Sequence, residues 1–264
     1  MSGVYSTAPG LTPTSRGADT TKVLDVDENY AIYLKNKEAC RKEDISKYHC
    51  IHDFRKSTSD AVVAKLKQLM TSEYPGTFDI NLDDPKYLSA FDALCSQLQE
   101  DVAVVQVDSE KDWLAAIHLC SPNHWDPRTK IGRPFNEIHA PVPHIERTIK
   151  NYQVMLKMII DKEPFTRFAW GIATDTRLNH HPEAPPGRDQ NAKEFYVRVE
   201  RQNLIGVKTV NAFIFTIRTY FYRVVEFDET EKKFLAEAIE SMSDETLQYK
   251  GMAGLKESVL RQLS

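Results

Sequence analysis

Cysteine is scarce in this chain: Cys40, Cys50, Cys95 and Cys120 are the only four among 264 residues, widely spaced and without a CxxC pair. That spacing excludes the usual zinc and iron–sulfur patterns, and there is no CxxCH run of the kind that carries covalently attached c-type haem. The thiols read as reduced and mostly buried, acting as small hydrophobes. No apolar run approaches the roughly 18–20 residues that span a bilayer. The start, Met1-Ser2-Gly3-Val4-Tyr5, lacks a basic stretch leading into an apolar one. A soluble, cytoplasmic protein without a membrane partner is the expectation.

Positive charge is not in excess either. Lys and Arg number 34 against 38 Asp and Glu, a formal net charge of −4, and the sequence pI is about 6.1. The basic residues are interspersed with acids, so nucleic acid is not an expected partner. Motifs of several enzyme classes are missing: no GxGxxG after the first strand, no Walker A lysine loop, no GxSxG elbow and no DxDxDG calcium loop. The eight histidines form neither HExxH nor a compact three-ligand zinc pattern.

What is present is ample core material, 41% hydrophobic and 10% aromatic, enough for one large domain or two small ones. Residues 1–21 are rich in Ser, Thr, Gly and Pro and read as a flexible or edge-covering arm, leaving 22–264 as a single domain. Apolar spacing predicts helices over Asp27–Cys40, Ser59–Met70 and Pro85–Leu98, then a hairpin of Val102–Val107 with Trp113–Leu119. A helix is expected over Ile145–Ile160, a strand over Phe165–Ala173, and a polar loop from Thr174 to Asn191 that either lids a pocket or makes an exposed excursion. Two further strands begin at Phe195 and Asn211, and helices close the chain from Asp228. The expected class is α+β, an antiparallel sheet of about five strands flanked by N-terminal and C-terminal helices.

Two features invite a functional reading. His139, in Glu137-Ile138-His139-Ala140-Pro141-Val142-Pro143-His144, is followed by prolines that restrict the chain and would hold its imidazole with little entropy left to lose. Imidazole is a common axial ligand of haem iron. Charges also interrupt the apolar alternation of the last two strands, which costs stability unless they have partners. Strand periodicity puts Arg198, Glu200 and Gln202 on one face and Thr216, Arg218 and Tyr220 on one face, and an even register would merge the two sets into one polar patch. That patch is either a solvated ladder of ion pairs or a pocket.

Several runs, in order, resemble the haem-dependent oxidative N-demethylase family: Leu119-Cys120-Ser121-Pro122-Asn123-His124-Trp125, Gly132-Arg133-Pro134, Ile138-His139-Ala140-Pro141-Val142-Pro143, Val197–Gln202, Phe215–Tyr220 and Tyr249-Lys250-Gly251. The resemblance runs from about Val23 to the closing helices. It implies a PAS-like fold binding haem b, with oxygen activated beside a small amine or guanidine substrate, by N-demethylation or N-hydroxylation. Carried onto this chain, it implies His139 as the proximal iron ligand, Arg133 and Arg198 at the haem propionates, and Glu200, Arg218 and Tyr220 on the distal or substrate side. Trp170 is carried as a cofactor-binding position. It follows Ala169, where the family often has asparagine, so the substrate here can differ. With neither a Rossmann fingerprint nor cluster-ligating cysteines, a separate reductase is implied unless peroxide is used. The rival is a haem-based gas sensor or haem carrier, since fold alone does not fix function.

Overall fold

In the computed structural model, residues 5–6, 8–16 and 22–264 are described. In chain order the strands are β1 (Thr12–Pro13), β2 (His49–Ile51), β3 (Asp101–Val107), β4 (Asp112–His118), β5 (Phe165–Ala173), β6 (Tyr196–Val207) and β7 (Ala212–Arg223). The helices are α1 (Tyr30–Asp44), α2 (Lys56–Glu73), α3 (Ala90–Ser96), α4 (Phe135–His139), α5 (Glu146–Lys150), α6 (Tyr152–Asp161), α7 (Glu229–Glu240), α8 (Asp244–Tyr249) and α9 (Lys256–Leu263). Among the described residues no helix is long and apolar enough to cross a membrane.

All seven strands join one antiparallel sheet in the order β1-β5-β6-β7-β3-β4-β2. The sequence showed five of them. The two it did not show are edge strands of two and three residues, too short for alternation to register. β1 lies in the N-terminal arm and pairs Thr12 with Thr166, covering the end of β5. Other parts of that arm, residues 1–4, 7 and 17–21, lie outside the described residues.

Because β6 and β7 pair with Glu200 opposite Thr219 and Arg201 opposite Arg218, each strand's even positions face the other's odd ones. On the front face, Phe165, Leu204 and Phe213 pack with Leu156, Ile159 and Ile160 of α6, while Phe135 of α4 adds to the cluster. Burial of such side chains stabilises by about 1.5–3 kcal/mol each. Gly206 permits this contact, since a Cβ there would meet the Ile160 carbonyl oxygen at 2.3 Å. On the back face, Ile205 and Ile214 pack with α2 and α3. Further along that face Ile172 and Val197 meet the apolar side of α7, α8 and α9.

Local capping explains where several helices depart from the expected bounds. Ser89 accepts a hydrogen bond from the Asp92 amide, so α3 starts at Ala90 rather than near Pro85. The helix expected over Ile145–Ile160 is two, broken at Asn151. The start of α7 follows its sequence closely, because Asp228 and Glu231 form a reciprocal capping box.

Candidate active site

His139 ends α4 and turns toward the sheet. Its Nδ1 lies 2.8 Å from the Phe135 carbonyl oxygen, which can only accept, so Nδ1 carries the hydrogen and Nε2 keeps its lone pair. The ring stacks on Phe135 at a centroid distance of 4.0 Å. Burial pulls its pKa down to about 4, helped by Arg167 and Lys130 and opposed by the Phe135 hydrogen bond. At neutral pH it is therefore an uncharged imidazole. An open groove of about 580 Å³ runs along the outer side of α4, lined by Asn136, Glu137 and Ala140 among others, but His139 is not part of it.

Across the front face the register gathers Arg167, Ala169 and Gly171 of β5 opposite Gln202, Glu200 and Arg198 of β6. Glu200 accepts from Gln202 Nε2 at 2.9 Å and has Arg198 Nε at 3.7 Å. Gly171 is buried, yet a Cβ on it would meet nothing within 4 Å. Together with the small side chain of Ala169 beside Glu200, this leaves open space within the sheet's front layer. Several buried polar atoms make no hydrogen bond among the described residues: Arg167 Nε, Arg188 Nε, Gln202 Oε1 and, beyond its 3.7 Å ion pair with Glu200, Arg198 Nε. These atoms keep hydrogen-bonding capacity that a ligand in the open space could use.

Arg198 is fully buried, and its ends are already engaged. Nη2 donates to the Ser121 carbonyl oxygen at 2.6 Å, and Nη1 lies 3.3 Å from both the Leu178 carbonyl oxygen and His180 Nδ1. His180 Nε2 reaches Asp175 at 2.9 Å, so this arginine pins the long loop to the sheet. The loop is tied down in its middle, where His180 and His181 are each about 1% accessible, while Pro182, Glu183, Pro185 and Pro186 after them are exposed. Lys250, just after α8, donates to the Trp170 carbonyl oxygen at 2.5 Å around the edge of β5. Burial lowers its pKa to about 8, with Glu200 opposing and Arg167 and Arg188 adding to the fall.

The odd register divides the residues that the sequence suggested together. Arg218 and Tyr220 lie on the back face, where they secure the N-terminal segment. Arg218 donates to Asp27 at 2.7 Å and to the Thr219 carbonyl oxygen at 2.6 Å, and lies over the Tyr33 ring. The Tyr220 hydroxyl is hydrogen-bonded to Asp25. Arg201 and Asn203 hold the Lys22 and Val23 carbonyl oxygens on the same side. The expected single patch is thus two, and only Glu200 of the three proposed distal residues shares the His139 face. Trp170 also faces backward, packing with the C-terminal helices and edge-on to Tyr5. Arg133 is exposed and is not joined to the cluster by a hydrogen bond or ion pair among the described residues.

Arg167, Arg188 and Lys250 lie beside this cluster and are not singled out by the sequence. Arg167 carried the same signal as Arg198, a charge inside strand alternation. Lys250 lies within Tyr249-Lys250-Gly251, one of the runs that carry the family resemblance. Arg188 stood in a polar loop where nothing distinguishes one arginine from another.

Among the described residues, one group of three metal-ligating side chains comes together, Asp101, His118 and Cys120. Its donors are taken: Asp101 accepts from the Cys120 and Ser121 amides, and His118 Nε2 sits 3.2 Å from Asp92. Burial raises the Cys120 thiol pKa well above its ordinary value. This is a structural network. His139 with the unpaired guanidinium of Arg167 suits haem better, offering one neutral nitrogen ligand and a cation for a carboxylate side chain of the macrocycle.

A model of the family described as haem-dependent oxidative N-demethylase, alpha subunit-like, matches residues 14–260. Since that match covers nearly the whole chain, the protein belongs to the haem-dependent oxidative N-demethylase alpha subunit-like family.

Proposed function

We propose that this protein removes an N-methyl group oxidatively from a small amine, using haem held through His139 Nε2. The observation that carries this reading is the neutral, tautomerically fixed imidazole of His139 on the same sheet face as Glu200 and the unpaired Arg167. Bound haem would supply the activation of oxygen, which no side chain of the site can provide. In the balanced reaction, one N-methylamine, one dioxygen, two electrons and two protons give the demethylated amine, formaldehyde and water. The electrons come from an external donor such as a reduced flavoprotein.

The chain's own residues bind and orient. Glu200 accepts charge-assisted hydrogen bonds from a protonated amine, and Ala169 opposite it leaves room for the substituents. Gln202 holds the other carboxylate oxygen, so Glu200 keeps its direction. Arg167 would pair with a propionate. Arg198 anchors the loop that closes the front face and positions Glu200 without touching substrate. Within this reading the antiparallel core and its flanking helices form a PAS-like haem domain.

The test is direct. Purified protein mixed with haemin should bind it and show a Soret band that shifts on adding small secondary amines. With a reductase and oxygen, the haem-loaded protein should release formaldehyde, whereas an N-hydroxylated product would assign the other oxidation. Protein that stays colourless would overturn the haem reading. Haem binding without amine response or turnover would favour a sensor or carrier.

A further inference from the structure

We infer that the substrate bears a carboxylate beside its N-methylamine, an N-methylated amino acid rather than a simple dialkylamine, with Arg188 binding the carboxylate and Glu200 the amine. This deepens the demethylation reading and rests on it.

Arg188 lies in the loop that precedes β6. It has no hydrogen-bond acceptor among the described residues, and its Nε is buried. The chain nonetheless makes room for it. Its guanidinium is pressed against Gly251, where a Cβ would lie 2.0 Å from Nη1, and Gly251 adopts a φ of +64° that other residues rarely accept. A guanidinium held this tightly with no acceptor in return lacks its counter-group.

Charge balance points the same way. The backbone on both sides of Arg188 is tied to Thr174, just past the end of β5, and its guanidinium lies against Gly251, next to Lys250, which reaches the Trp170 carbonyl oxygen between Ala169 and Gly171; Glu200 is the carboxylate opposite Ala169. A dialkylammonium would engage Glu200 and still leave Arg188 without an acceptor. A zwitterion adds no net charge and brings the acceptor that Arg188 lacks.

The two free guanidiniums are at different places. Arg167 is near enough to His139 to depress its pKa. Arg167 is two residues along β5 from Phe165, whose cluster includes the Phe135 ring that His139 stacks on, whereas Arg188 is held at the other end of β5, against Gly251 and beside Thr174. A propionate near the iron ligand therefore falls to Arg167, leaving Arg188 for the substrate.

The probes are N-methylglycine and dimethylamine. Each is titrated against haem-free and haem-loaded protein while the thermal unfolding midpoint is followed, and each is assayed for formaldehyde release. A charge-assisted pair should favour N-methylglycine in kcat/KM by roughly ten- to hundredfold. Arg188→Met should collapse that ratio toward one, mainly through KM, and Arg188→Lys should restore part of it. Preference for dimethylamine, a ratio unchanged by Arg188→Met, or a fall in haem content in that variant would overturn the assignment, the last by showing that Arg188 serves a propionate. Were Arg188→Met to misfold, the wild-type ratio and the lysine variant decide. Absence of amine turnover by haem-loaded protein would sink the demethylation reading separately. In that case, stabilisation by N-methylglycine that Arg188→Met removes would uphold the carboxylate site, and its absence would overturn it.

Discussion

Acidification should destabilise the haem-free fold, and His139 should account for an identifiable share of the loss. Its pKa falls from an ordinary 6.5 to about 4 on folding, so the unfolded chain binds more protons than the folded one between those values. The stability is fully present above the unfolded value and is lost as pH falls toward the folded one. At pH 5 the unfolded imidazole is almost fully protonated, while the folded one is only about a tenth protonated. The difference relative to pH 7 is about 2 kcal/mol. His139→Gln removes the titration and keeps a group able to donate to the Phe135 carbonyl oxygen. Urea unfolding of both proteins at pH 7 and pH 5 measures the effect, provided the m-values agree. Wild type should lose about 2 kcal/mol more than the variant. His124, also lowered to about 4 by burial first and then by Arg188, titrates in both proteins and cancels. So does Glu100, which burial raises to about 7, so that its contribution is lost as pH rises from 4.5 through 7. Parallel pH slopes in the two proteins would refute the burial assigned to His139.

Other perturbations separate the two faces of the sheet. Arg218→Met should lower stability by roughly 3–5 kcal/mol by leaving Asp27 and the N-terminal segment without their anchor, yet turnover per folded molecule should stay near wild type. A selective loss of kcat would return Arg218 to the chemistry. Glu200→Gln should cost about a hundredfold in kcat/KM with haem content retained, as read by formaldehyde release and the Soret absorbance. Gly171→Leu should fill the open space and abolish amine binding, whereas Gly171→Ala should be tolerated, since its Cβ meets no atom. Equal activity in the leucine variant would place the substrate elsewhere.

Strand alternation made most of the sheet legible from sequence, and β5 matched its expected span to the residue. The hairpin of β6 and β7 was visible as well, but its register was not. A shift of one position changes no residue type, yet it sends Arg218 and Tyr220 to the face opposite Glu200. The charges within the alternation need partners, and Arg198, Arg201 and Arg218 have them. What the chain could not reveal is that those partners on the back face are the backbone and carboxylates of Lys22–Asp27, almost two hundred residues away. The family runs around His139 single it out as a candidate ligand. The hydrogen bond that fixes its tautomer comes from a five-residue helix whose existence depends on packing against β4. The thiols behaved as their spacing suggested, all four free and three buried.

The central claim is that His139 binds the iron of haem on the face that carries Glu200. The most direct test is to load wild type and His139→Ala with one equivalent of haemin and compare their ferric and ferrous absorption and electron paramagnetic resonance spectra. Wild type should carry one haem per chain with a nitrogen axial ligand, and the variant should lose that ligand. Spectra that do not change on the substitution would contradict it and move the ligand to another histidine.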